Sequence, residues 1–273
     1  QKRCNTAEEC FAELRSNPKF YADEIKFIQR EWKRRREGYW FFNNGRPTYI
    51  PGVHYFYLCY WFLSGQRPEY RARDRKFFLF AMMCLQDEFC AGFNYPKFRR
   101  EGATSKASCF EYWLITMERN MHAGNQSKDG ASSEEIFSGH IVPNHKRMPF
   151  WFRPVFSGKD EPKASLDFFA PASVVTKGGA SMNFKDSLES TIDWGSSTEG
   201  FYDRAKLRIH YGDEIGKTKE ANVYKRHLVV KPTITKGNTY IGMIINTTTV
   251  GEMTKDGGKN FQLIADGSMY DKR

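Results

Sequence analysis

The sequence predicts an α/β fold built on a central, mainly parallel sheet. Three observations carry that expectation. Apolar segments with strand character, at residues 93–98, 206–211 and 239–246, alternate with segments of helical period. Each of these strands runs directly into a polar cluster, the arrangement expected where ligands sit beyond the carboxyl edge of a parallel sheet. The chain also has 273 residues, 40% hydrophobic and 27% charged, enough for one large domain or two small ones and too apolar for a disordered or fibrous protein. The division expected is an N-terminal helical and aromatic segment, 1–70, packed on a core formed by 71–273.

The balance of 42 Lys and Arg against 32 Asp and Glu leaves a net charge of +10, which favours an anionic partner. The longest apolar run, residues 77–85, is well short of the ~18 residues needed to cross a bilayer, and the N-terminus QKRCNTAEEC lacks a signal-peptide core, so a protein inside the cell is expected, with no membrane partner. The six cysteines show no C-x-x-C pair and no histidine at zinc spacing, and read as reduced core thiols.

Along the chain, Tyr21, Ile25, Ile28 and Trp32 recur at helical spacing, and Lys33, Arg34, Arg35 and Arg36 read as a solvated face or a phosphate contact. Residues 43–63 join a Gly/Pro-rich stretch to an aromatic block, a hairpin packed on the core or a cover over a flat ligand. A helix over 74–88 is apolar almost all round, as a helix buried on a sheet should be. The strand 93–98 then enters REGATSKAS, beyond which Ala107, Phe110, Leu114, Met117 and Met121 mark an amphipathic helix. Residues 124–162 read as loop with one short helix at 132–137, followed by short strands at 165–169 and 191–194 that flank a mobile Gly/Ser-rich loop around 176–181. Strand 206–211 enters GDEIGK, a helix over 219–231 stops at Pro232, and the last strand ends in TTTVGEM.

A phosphate turn, an acidic strand end and a polar strand end, in that chain order, are the order of a three-layer P-loop NTPase of the additional-strand, RecA-like kind. In the turn, backbone N–H groups and a helix N-terminus point at phosphate oxygens, and glycine permits the close approach; Gly102 and Thr104 fit, with the Thr104 hydroxyl placed for Mg²⁺. Ala103 occupies the place of the usual lysine, so the cation must come from Lys97, Arg99 or Arg100, while Lys106 reads as a solvated helix lysine. Asp213 would hold the metal of Mg²⁺-ATP and Glu214 would act as general base on water. The polar strand end Thr247-Thr248-Thr249 could hydrogen-bond a γ-phosphate or water and pass on its loss.

At these residues the sequence resembles the ATPase domain of the large terminase subunit of tailed bacteriophages, and most closely terminases from phages of gut Bacteroides-type hosts. The resemblance runs from VHYFYL through KFRREGATSKAS, GNQSKDGASSEEIF, PFWFRPVF, LDFFAP and FYDRAKLRIHYGDEIGK to INTTTVGEM. It implies a deviant Walker A turn with a displaced basic residue, matched by Arg99, Gly102 and Thr104; a Walker B Asp213 and catalytic Glu214; and a coupling motif at Thr247 and Thr248. It further implies an ATP-hydrolysing, Mg²⁺-dependent motor, homo-oligomeric when active, that packages double-stranded DNA with a small terminase subunit and a portal or procapsid in the host cytoplasm. The family's C-terminal nuclease is not expected here, because the sequence ends soon after the coupling motif. A helicase or remodelling ATPase and a non-catalytic nucleotide-binding scaffold are the alternatives.

Overall fold

The computed structural model describes residues 7–156, 162–169, 187–219 and 221–249. The loop around 176–181 and Cys4 lie outside them. None of the described cysteines is in a disulfide. Two compact units emerge: the described residues up to Leu79 together with Asn144–Pro154, and those of Phe80–Pro143 with the described residues from Val155 onward.

The first unit begins with helices α1 (Ala7–Ser16) and α2 (Ala22–Glu37), then a hairpin of β1 (Tyr39–Asn43) and β2 (Arg46–Ile50), then α3 (Gly52–Tyr60). The aromatic block thus supplies a hairpin and a buried helix, with Val53, Phe56 and Trp61 wholly inaccessible. The basic end of α2 departs from the expected solvated face. Arg35 is fully buried, its guanidinium 4.6 Å from the Phe56 ring centroid, 4.7 Å from Phe152 and 5.1 Å from Trp32. Arg34 pairs with the buried Glu31 at 3.0 Å. A guanidinium carries less tightly held water than an ammonium and stacks on rings, which is why an arginine can enter where a lysine would resist.

Helix α4 (Ala72–Gln86) leads to β3 (Gly92–Lys97), α5 (Ala103–Ile115), β4 (His122–Gln126), α6 (Gly130–Ile136), a π-helical turn at Phe137–Ile141 and α7 (Val142–Arg147). After these come β5 (Ser165–Phe168), β6 (Ser190–Trp194), β7 (Ile209–Gly212), a 3₁₀ turn at Ile215–Lys217, α8 (Val223–Thr233), a small hairpin of β8 (Thr235–Lys236) and β9 (Thr239–Tyr240), and β10 (Met243–Thr249).

The second unit is organised by one six-stranded sheet in the order β3-β10-β7-β4-β6-β5. All neighbours run parallel except β5, which lies antiparallel to β6 at the edge. The last described strand, β10, therefore inserts between β3 and β7, pairing Ile245 with Phe93 on one side and with Tyr211 on the other. Gly92 makes that insertion possible. Its φ is +126°, and a Cβ there would stand 1.9 Å from the Ile244 carbonyl oxygen.

Four expectations need correction here. Residues 124–162 were expected to contain no strand, yet β4 is central. Its sequence HAGNQ lacks the branched apolar residues of a strand buried on both faces, and its side-chain amide donors are paired instead: the Asn125 amide donates to Glu111 at 2.7 Å and the Gln126 amide to the Ser196 carbonyl at 2.6 Å. Helix α5 stops at Ile115, not near Met121, and is buried nearly all round instead of being amphipathic. Glu111 lies fully inside it, and burial pushes its carboxyl well above the ordinary range. Pro232 does not end α8 but sits in its last turn, where helix ends tolerate irregularity. Thr247, Thr248 and Thr249 lie inside β10, not beyond its end.

Candidate nucleotide site

The site forms where β3, β7 and β10 end side by side. Strand β3 stops at Lys97, so the alternation that would have put Lys97 and Arg99 on one face does not reach Arg99. The chain turns instead, with Arg100 at φ +64° and Gly102 at φ +76°, and α5 starts at Ala103. Gly102 takes the left-handed conformation open to glycine at little cost, and nothing lies within 4 Å of where its Cβ would be. The N–H groups of Ala103 and Thr104, in the first turn of a thirteen-residue helix, have no carbonyl behind them in the helix and carry its positive end.

Lys97 is the cation that this geometry brings in. Its side chain is only 7% exposed, and its ammonium stands 2.9 Å from Asp213 Oδ1, 3.5 Å from Glu214 Oε1 and 3.5 Å from the Thr104 hydroxyl. The Thr104 hydroxyl donates to Asp213 Oδ2 at 2.9 Å, and the Thr247 hydroxyl donates to Asp213 Oδ1. Tyr211 and Thr247 exchange a further hydrogen bond at 3.1 Å. Burial alone would push the Asp213 carboxyl up, but Lys97, Thr247 and Thr104 together outweigh it and hold it below the ordinary carboxylate range.

Arg99 and Arg100 lie exposed on the turn, outside this cluster. Ala103 is buried in the first turn of α5. Lys106 is not solvated as expected: it is fully buried, 3.8 Å from Glu101 and 5.7 Å from the Tyr95 ring centroid, while the Tyr95 hydroxyl donates to Glu101. It thus belongs to a pocket of its own charge partner beneath the turn.

Glu214 follows β7 in the left-handed region at φ +49°. Its Oε2 accepts from Lys217 at 2.8 Å and from the Thr249 hydroxyl at 2.9 Å. Burial again raises its carboxyl, and Lys217, Lys97 and Thr249 more than reverse the effect, so it is ionised at neutral pH. Thr248 points away from both carboxylates. Its hydroxyl accepts from the Gly216 N–H at 3.2 Å and so pins the 3₁₀ turn.

Sequence reasoning assigned Glu214 neither of these partners, although it included Thr249 in the polar strand end. Thr249 was legible from the period of two in a strand: Thr247 and Thr249 share a face, one meeting Asp213 and the other Glu214, with Thr248 on the opposite face. Lys217 follows Glu214 by three residues, a spacing that brings side chains together in a helical turn. Oxygen donors of the hard kind, Thr104 and Asp213, stand within hydrogen-bonding distance of each other, as suits Mg²⁺, which takes few protein ligands and fills its shell with phosphate and water. Among the described residues no group of three or more His, Cys, Asp or Glu forms a metal cage. None of the described helices is long and apolar enough to cross a membrane.

No protein-family model matches the sequence, and no curated protein matches it. Solved structures do. The large terminase of bacteriophage HK97 is similar with a TM-score of 0.55 at 12% identity, over 80% of this chain and 41% of that one. The chain therefore spans less than half the length of the HK97 protein. A mutant of the large terminase ATPase domain of Thermus phage P74-26 gives a TM-score of 0.45 at 15% identity, over 69% of this chain and 68% of that one. With the HK97 likeness, the inserted strand and the mostly parallel sheet, the fold is a three-layer α/β P-loop NTPase fold.

Proposed function

We propose that the chain is the ATP-hydrolysing motor module of a viral DNA-packaging terminase, using ATP and Mg²⁺ to drive double-stranded DNA into a procapsid. The observation that carries the nucleotide site is the convergence of Lys97, Thr104, Asp213 and Thr247 at three adjacent strand ends, with a helix N-terminus beside them. A buried lysine at the end of β3 provides the charge that Ala103 lacks, which weighs against a non-catalytic scaffold.

In this reading the first-turn N–H groups of α5 hold phosphate oxygens, and Lys97 meets the β/γ-phosphates, the charge on which phosphoryl transfer most depends. Arg99 and Arg100 approach the outer phosphate oxygens from the turn. Thr104 and Asp213 would hold Mg²⁺, which when bound neutralises charge on the phosphates. Glu214, ionised and anchored by Lys217 and Thr249, orients water and accepts its proton. Thr247 touches the metal-side carboxylate, Thr249 the base, and Thr248 the intervening turn, so β10 contacts each part that changes on hydrolysis.

The terminase assignment is supported by the fold and by the sequence motifs, and the motifs alone support the narrower kinship with phages of Bacteroides-type hosts. The portal or procapsid, a small terminase subunit, a homo-oligomeric working state and the infected host's cytoplasm belong to the same proposal, as does the division of labour between the N-terminal segment and the ATPase core. Phosphate release measured with and without double-stranded DNA tests it. Turnover that DNA stimulates, with DNA binding that weakens steeply with salt and ignores sequence, is the expected result. Nucleotide hydrolysis indifferent to DNA, or no hydrolysis in the presence of procapsids, sinks the motor reading.

A further inference from the structure

A second cavity lies within the first unit, distant in sequence from the strand-end cluster and built from α2, α3 and the segments 62–67 and 147–151. Its volume is 480 Å³, within the range of about 300–1,000 Å³ common for small-ligand sites. Three features of its lining differ in chemistry. The first is a pair of guanidiniums: Arg67 and Arg147 both stand over the ring of Phe62, at 5.8 and 5.4 Å from its centroid, and neither has an ion pair among the described residues. Two guanidiniums held at one ring give the cavity mouth a positive potential that favours an anion.

The second feature is a wall of flat rings. Phe27 and Trp151 meet edge to face with centroids 5.8 Å apart, and both line the cavity. The third is a polar floor that presents donors and acceptors side by side. Glu31, its side chain only 3% exposed, accepts from Arg34 at 3.0 Å, from the Tyr55 hydroxyl at 2.6 Å and from the Tyr60 hydroxyl at 2.7 Å. Counted together, Arg34, Arg67 and Arg147 against Glu31 leave the lining with two positive charges in excess.

We infer that this cavity binds a nucleotide unit, a flat base joined to a phosphate. The phosphate bridges Arg67 and Arg147, for which forked guanidiniums are suited; the base lies against Phe27 or Trp151; and the base edge meets the Glu31–Arg34 floor. An acidic peptide would satisfy the arginines but leave the ring wall and the mixed floor without a counterpart. The source of the unit is either a free nucleotide or one nucleotide of a DNA strand. The inference does not rest on the ATPase reading, since all its residues belong to the first unit.

Calorimetric titration of the whole chain decides it, with thymidine monophosphate, a short oligothymidylate, thymidine and inorganic phosphate as separate probes. The background is Lys97→Ala, which disables the strand-end site. Saturable binding of the monophosphate or the oligomer should persist there and weaken about tenfold or more with Arg67→Ala or Arg147→Ala, each removing a charge-assisted contact. Thymidine and phosphate alone should bind more weakly than the joined unit. Binding of the oligomer alone, or far more tightly than the monophosphate, identifies a strand as the source, and monophosphate binding at least as tight as the oligomer's identifies free nucleotide. Since Arg67 and Arg147 are exposed, their replacement should leave the melting curve in place; Trp151→Leu offers a second lesion on the ring wall. No binding in the Lys97→Ala background, binding unmoved by the arginine changes, or phosphate alone binding as well as the nucleotide would overturn the inference. ATP turnover in the parental chain is scored separately, so failure here and failure of the motor reading are distinguishable.

Discussion

Lys97→Ala removes the charge on which the candidate site turns, and its cost can be worked from the geometry. At 2.9 Å and an effective dielectric of 20, the attraction between Lys97 and Asp213 is about 6 kcal/mol, part of which only repays the desolvation of the two ions. The mutant has an escape that limits the loss. Asp213 can take up a proton, which at neutral pH costs a carboxyl with an ordinary pKa of about 3.9 roughly 4 kcal/mol. Burial, no longer opposed by Lys97, raises the carboxyl and lowers that cost, while the Thr104 and Thr247 hydroxyls remain as donors to whatever ionised form persists. A destabilisation of about 2–4 kcal/mol is therefore expected, read as a lower denaturant midpoint. Adding Asp213→Asn to Lys97→Ala should return part of it, because no buried carboxylate is then left unpaired. Turnover should fall about a hundredfold to a thousandfold or more. Arg99→Ala, at an exposed turn residue, should change stability by no more than about 0.5 kcal/mol and slow turnover far less. If Lys97→Ala melts and hydrolyses ATP like the parent while Arg99→Ala is inactive, the charge comes from the displaced arginine and the reasoning from burial is wrong.

Glu214→Gln should abolish phosphate release while leaving nucleotide binding largely intact, since a base acts in the chemical step; parental turnover in that variant would remove Glu214 from the role. Thr249→Val keeps the strand but removes the hydroxyl from Glu214 Oε2, and should lower turnover about tenfold with a shifted acid limb of the pH profile; an unchanged profile would make the contact incidental. Buried histidines make the fold acid-sensitive. Burial pushes His145 and His227 down to about 4 and His210 to about 3, so the unfolded chain binds more protons below the ordinary value and stability rises with pH across that window. Each should cost about 2 kcal/mol on going from pH 7 to about pH 5, and identical melting curves at the two values would refute the burial argument.

The parallel sheet was legible because its strands announce themselves twice, by apolar runs and by polar ends. The strands found within these segments, β3, β7 and β10, do share one sheet, with β10 inserted between the other two, although residues 239–240 belong instead to the separate β8–β9 hairpin. The acidic pair and the turn were legible for the same reason, since a strand end is where polar residues interrupt an apolar pattern. What escaped was whatever tertiary pairing decides. In β4 the polar residues Asn125 and Gln126 look like loop until Glu111 and the carbonyls of Ser196 and Thr198 are brought to them. Arg35 looks solvated until Trp32, Phe56 and Phe152 close round it, and Lys106 until Glu101 and Tyr95 do. Charge in a sequence says nothing of its partner, and the partner determines whether the charge is buried.

Placing the lysine at a strand end instead of in the helix has a consequence for how the site loads. In the resting chain Lys97 neutralises Asp213, a carboxylate that burial would otherwise push upward. Lys97 can turn to a phosphate only by loosening that pair, and a buried Asp213 left alone requires another cation. Under the proposed function, the two residues would favour nucleotide and divalent ion arriving together over either arriving alone. The same pair lies 3.5 Å from Glu214 through Lys97, so a shift of the ammonium toward phosphate also withdraws one of the charges that restrain the base. Lys217 and Thr249 then hold Glu214 without it, one from the turn and one from β10. Loading of the phosphate side and freedom of the base are in this way joined through one ammonium group, with β10 in contact with both carboxylates.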